Sequence, residues 1–294
     1  IAGTDVAKDA ADMVLQDDNF ANIVHAIEEG RKIYQNIRNF VRYQVSTNVA
    51  AVALIVISTF IFGWNLPLTA TQILVINILM DGPPAVALGV EKRHGNVMGR
   101  PPRPVDEGLP NSRDISLIFY LGAVMVIGTL IIFYLSGGGV ITDDACSVGP
   151  LDTGEYTWME SCLAGEESGI SDWNNHAEDL FSKAQTMTFA VFIIYQLFNV
   201  LNCRSGDASL FTLGVFSNKA INYAILISAS LLFVFVHFAS STIPLVGIEF
   251  GNLLSTISLK STDWFVLTLV ASTVFLIEEF RKFMFNNGFF NVRR

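Results

Sequence analysis

Long apolar runs separated by short polar stretches set the pattern of this chain. Six runs reach the roughly 20 residues that a helix needs to cross a bilayer. They are Phe40–Phe62, Leu68–Val90, Ile115–Ser136, Ala184–Leu201, Ala220–Ala239 and Trp264–Phe280. This pattern predicts an all-α membrane protein built as a six-helix transmembrane bundle. The first residues read instead as soluble. Thr4 and Asp5 can cap a short helix, Met13-Val14-Leu15 is a short buried-strand candidate, and Asp17-Asp18-Asn19 is a turn. From Phe20, apolar residues recur at helical spacing through Ile23, Val24, Ile27, Ile33, Ile37 and Phe40. Gly30 costs this helix about 1 kcal/mol but does not end it. One continuous rod is therefore expected from the soluble segment into the first span.

The connections complete this reading. Gly63-Trp64-Asn65-Leu66-Pro67 is a tight turn, so the first two spans pair antiparallel. Residues 91–114 contain Pro101, Pro102, Pro104 and Pro110 among mixed charges and read as an ordered loop or tether. The last four spans make two further hairpins. Only 15% of the 294 residues are charged and 51% are hydrophobic, whereas soluble domains carry about 25% charge.

Charge placement predicts the orientation. All but Lys183 and Lys260 of the 18 basic residues fall on one side of the spans, which the positive-inside rule makes cytoplasmic. Both termini are then cytoplasmic, in a multi-pass protein whose membrane the sequence does not specify. The acid gathers near the N-terminus and in the outer loop 137–182, from Asp143 to Asp179. That loop either concentrates cations at an exit or is simply a solvated face, the commoner role of a charge run. Nothing points to nucleic acid. Cys146 and Cys162 in the same loop are candidates for a disulfide, against two free thiols, while Cys203 is expected packed or free. The chain opens without Met or a leader, as if entered in mid-domain.

The candidate chemistry lies in the second span. Asp81 interrupts an apolar run, and a charge there costs about 2.5–3.5 kcal/mol on insertion scales, so it pairs, lines a wet cavity or serves an ion path. Asn77 stands four residues earlier, on the same face of a regular helix. Gly82-Pro83-Pro84 follows, so the helix is expected to kink or unwind just after the acid. Acid, amide and freed carbonyls suit a hard cation; the alternative is a structural polar pair at a kink. Asn48 in the first span is read as a ligand in preference to packing glue. Gln196 and Asn199, on one polar stripe with Asn202, stand open between those two roles.

Three segments resemble a P-type cation-transporting ATPase of the calcium-pump branch. GTDVAKDAADMVLQDDNF resembles the end of its phosphorylation domain, EEGRKIYQNIRNFVRYQVSTN its stalk and fifth membrane helix, and NILMDGPPAVALGVE its sixth. The resemblance implies that residues 1–33 are the end of the phosphorylation domain plus stalk, a cytoplasmic remnant of an α/β domain. Residues 34–90 become membrane helices five and six, the ion-binding pair, and 115–294 helices seven to ten. It implies metal ligands at Asn48, Asn77 and Asp81. A helix-five glutamate of two-site pumps is Ala51 here, a helix-six threonine is Met80, and a helix-eight glutamate corresponds to Gln196. Alanine and thioether are poor calcium ligands, so one ion per cycle is expected, as in secretory-pathway-like pumps. Val86 stands where manganese-handling relatives carry glutamine, which favours calcium over manganese. The family's DKTGT and GDGxNDxP motifs are absent from this chain. ATP and magnesium would bind only in the missing N-terminal part of the same pump, and no catalytic residue is expected here. The alternative is a non-catalytic membrane protein that binds cation or pairs with a partner chain.

Overall fold

The computed structural model describes residues 3–17, 19–92, 97–99, 101–102, 104, 108–139, 167–241, 251 and 254–287, with backbone alone at 167–175 and 286. Nine α-helices appear among them, and no strand. The short helix α1 (Asp5–Asp9) is capped by Thr4, whose hydroxyl accepts the Ala7 N–H at 3.3 Å, as the sequence predicts. Met13 and Val14 are exposed and irregular. A strand needs a sheet to pair with, and none of the described residues supplies one.

Helix α2 (Ala21–Val56) runs unbroken through Gly30 and ends in a π-turn, Ile57–Ile61. Its 36 residues make a rod of about 54 Å. Gly63, at φ 67°, turns the chain, and Trp64 stacks on Phe62 with ring centroids 4.6 Å apart. Thr69 and Gln72 then form a reciprocal capping box that starts α3 (Ala70–Val75). A π-turn, Ile76–Met80, leads to Asp81, and α4 (Gly82–Gly89) follows.

The later elements are α5 (Ser112–Leu135), α6 (Glu167–Cys203), α7 (Leu210–Leu213), α8 (Lys219–His237) and α9 (Ser261–Asn286). Five described stretches are long and apolar enough to cross a membrane: Ala21–Ile61, Ala70–Gly89, Ser112–Leu135, His176–Cys203 and Lys219–His237. The sixth expected span is present as the helix α9 but lies outside these five. Charged residues crowd both its ends, Asp263 at one and Glu278, Glu279, Arg281 and Lys282 at the other.

Helix α6 is the axis of the bundle. Met187, Phe189, Phe192, Ile193 and Tyr195 are all buried, and α2, α5, α8 and α9 pack around it. Close approach of α5 depends on Gly128. A Cβ built there would lie 1.8 Å from the Tyr195 hydroxyl, which pairs with Thr273 of α9 at 3.2 Å. Cys203 is a buried free thiol; Cys146 and Cys162 fall outside the described residues, as does most of the acidic loop.

Candidate cation site

The two prolines decide the local geometry. Pro83 and Pro84 have no N–H to offer the carbonyls of Leu79 and Met80, so two α-helical bonds cannot form there. In the first turn of α4 those missing donors cost nothing. The preceding turn widens, and Asp81 N–H reaches back five residues to Ile76 O at 2.9 Å. The distortion thus lies just before the acid, not after it as the sequence reading expected. Ser228 of α8 donates to the freed Met80 carbonyl at 3.4 Å. That oxygen is engaged by α8 and is not a bare ligand.

Asp81 is 1% exposed. Tyr43 donates its hydroxyl to Oδ1 at 3.0 Å, and the Thr47 hydroxyl lies 3.2 Å from Oδ2. Both donors sit on α2 four residues apart, hence on one face. The Thr47 proton is shared, because Gln44 O is 3.0 Å from the same hydroxyl. The carboxylate therefore rests against the rod through two neutral donors. Among the described residues no three His, Cys, Asp or Glu side chains cluster. Among these residues, a cation at Asp81 would meet one carboxylate.

The other expected ligands are placed differently. Asn48 is exposed on α2, one residue beyond buried Thr47 and in line with exposed Val52 and Val56. Asn77 is exposed beside Leu74 and Ile78. The π-turn separates Asn77 from Asp81, since more residues per turn remove the shared face that an α-helix would give. Met80 is fully buried in the apolar core. On α6, Asn199 is committed to packing: its amide donates to Ser46 Oγ at 2.9 Å, tying α6 to α2. Asn202 donates to Val274 O of α9 at 3.1 Å. Gln196 is 1% exposed, and neither atom of its amide has a hydrogen-bond partner among the described residues.

Tyr43 and Thr47 were visible in the sequence only as members of a polar stretch. Their four-residue spacing, facing a neighbouring buried acid, is the signal that could have singled them out.

A family described as "Cation transporting ATPase, C-terminus" matches residues 65–284. The "Calcium-transporting ATPase 1" of Yarrowia lipolytica is 36% identical over 96% of this chain and 25% of its own length. The same-named protein of Schizosaccharomyces pombe is 36% identical over 95% of this chain and 26% of its own. The human "Calcium-transporting ATPase type 2C member 2" is 36% identical over 95% of this chain and 25% of its own. The chain thus spans about a quarter of the length of these relatives. It belongs to the P-type cation-transporting ATPases, as a stretch of their C-terminal membrane region.

Proposed function

We propose that this chain is the membrane and ion-binding part of an ATP-driven calcium pump that moves Ca2+ out of the cytoplasm, one ion per cycle. The observation that carries the reading is the contact of Asp81 with Tyr43 and Thr47. It seats a buried carboxylate, at the kink of one span, directly on the rod that runs out of the membrane. A push or twist of α2 therefore acts on the environment of the charge. The names of the relatives support calcium as cargo. One carboxylate, with Ala51 and core-packed Met80 where further ligands would stand, supports a single ion. Manganese is the second candidate cargo, and valine at position 86, where the resemblance gives manganese-handling relatives a glutamine, supports calcium over it.

In this reading the basic ends of the helices face the cytoplasm, with both termini, and the surrounding partner is the lipid bilayer. ATP and magnesium belong to the remainder of the same pump. That remainder shifts the rod on phosphorylation, cation affinity falls, and the ion leaves on the opposite side. Asn48 and Asn77 are the remaining ligands of this reading; both stand on exposed faces and reach the ion only when the helices turn them toward Asp81. Passive cation binding by a non-catalytic protein is the weaker reading, since it leaves the long rod unexplained.

The test is calcium-dependent phosphorylation by ATP of the full-length pump containing this chain. Wild type is expected to phosphorylate and Asp81→Asn is not. Equal uptake of both metals in competition removes the calcium preference, and two calcium ions per ATP contradict the one-ion reading.

A further inference from the structure

Where α4 and α6 finish, Glu91 and Arg204 form an ion pair buried to 1% and 0% exposure. Nε and Nη2 of Arg204 each lie 2.9 Å from a different Glu91 carboxylate oxygen, a bidentate fork. Nη1 donates to Gly214 O and Val215 O at 3.1 Å, and Nη2 also reaches Ser217 Oγ at 2.6 Å. Asn218, the N-cap of α8, adds its amide to Glu91 Oε2 at 2.9 Å. One saturated arginine thus joins the ends of α4 and α6 to the start of α8. A buried pair of this kind is no better for stability than apolar side chains of equal volume. What the fork does supply is a fixed relative register.

The rod holds this knot by its backbone. The Asn36 amide donates to Gly89 O at 3.0 Å and Glu91 O at 3.1 Å, and the Asn39 amide donates to Arg204 O at 2.8 Å. Both asparagines are buried, and their three-residue spacing puts them on one face of α2. The carbonyl of Gly89 belongs to the last turn of α4, where helices have no internal donor left. At its opposite end α4 begins at Asp81, which Tyr43 and Thr47 hold from the same rod. Helix α2 therefore grips α4 at both ends. The grips lie about 16 Å apart along the rod from Asn36 to Thr47.

We infer that Asn36 and Asn39 are positioning residues that lock α4 to the rod, so that a displacement of α2 carries Asp81 with it. A single grip at Tyr43 and Thr47 lets α4 swing about the carboxylate. A second grip at the far end removes that freedom, and the Glu91–Arg204 fork extends the body to α6 and α8. The inference rests on the reading of this chain as part of a cation pump.

The test is the number of calcium ions moved per ATP hydrolysed by the full-length pump in sealed vesicles, with thermal stability measured in parallel. Asn36→Ala/Asn39→Ala is expected to hydrolyse ATP while its transport ratio falls at least threefold. Asn36→Ala alone, a milder change that leaves the Asn39 bond in place, is expected to lower the ratio about twofold. Asn202→Ala serves as the control, because it removes the same type of buried amide-to-carbonyl bond between α6 and α9. It is expected to lower stability and keep the wild-type ratio. An unchanged ratio in both rod variants, or an equal fall in Asn202→Ala, overturns the inference while leaving the pump reading intact. A wild-type protein that moves no cation overturns the pump reading, and this inference with it.

Discussion

The Tyr43 hydroxyl lies 3.0 Å from Oδ1 of Asp81, so the rod and the kinked helix meet at a buried charge. Tyr43→Phe keeps the ring and removes the donor, leaving the charge costlier to hold. Hydrogen bonds to charged groups contribute about 1.5–3 kcal/mol, or roughly 10- to 150-fold in affinity. The calcium concentration for half-maximal phosphorylation of the full-length pump is expected to rise by about tenfold, the lower end of that range, since Thr47 remains. Asp81→Asn is expected to abolish calcium-dependent phosphorylation. An unchanged calcium requirement in Tyr43→Phe would show that the contact is mere packing.

Breaking one side of the Glu91–Arg204 pair leaves a buried charge without its partner. Such losses cost about 3–5 kcal/mol, whereas replacing both partners by apolar side chains is near neutral. Glu91→Gln is therefore expected to lower the thermal midpoint of the detergent-solubilised protein strongly. The double variant Glu91→Leu/Arg204→Met is expected to recover most of the loss. If the double variant melts as low as the single one, the surrounding polar contacts to Asn218 and Ser217 carry more than the charges do.

Gln196 gives the opposite sign. A buried amide without partners costs about 1–3 kcal/mol, and methionine has nearly the same length and needs no partner. Gln196→Met is expected to match or exceed wild-type stability, with calcium transport within about twofold of wild type. A collapse of transport in a well-folded Gln196→Met protein would instead mark the amide as an ion ligand.

Gly128 lets α5 approach α6 closely at Tyr195. A methyl there meets the Tyr195 ring as well as its hydroxyl, with Cζ at 2.7 Å. Overpacking of this kind costs about 1–3 kcal/mol, so Gly128→Ala is expected to melt earlier than wild type. Gly30, with nothing near its Cβ position, is the contrasting site. Gly30→Ala is expected to stabilise by a few tenths to about 1 kcal/mol through helix propensity.

The large elements were legible because bilayer length and helical periodicity are strong signals. The rod through Gly30, the turn at Gly63 and the cap at Thr4 all follow from local residue types. Asp81 was legible too, because a carboxylate in an apolar run is costly wherever it sits. Its partners were not. Tyr43 and Thr47 become donors only when α2 packs on α4, which is a tertiary fact. Asn77 was misplaced for a related reason: four-residue spacing implies a common face only in a regular α-helix, and the prolines widen the turn before them. The Glu91–Arg204 fork joins residues 113 positions apart, a separation at which no local pattern speaks.

The widened turn at Ile76–Met80 also has an angular meaning. It holds one residue more than an α-turn, and each residue of an α-helix corresponds to about 100° of rotation. Closing the turn, by passing the surplus residue into a neighbouring segment, would spin α3 and α4 against each other by about that angle. The helix would behave as a swivel, bringing Asn77 round to the face of Asp81 with little change in the length of the span.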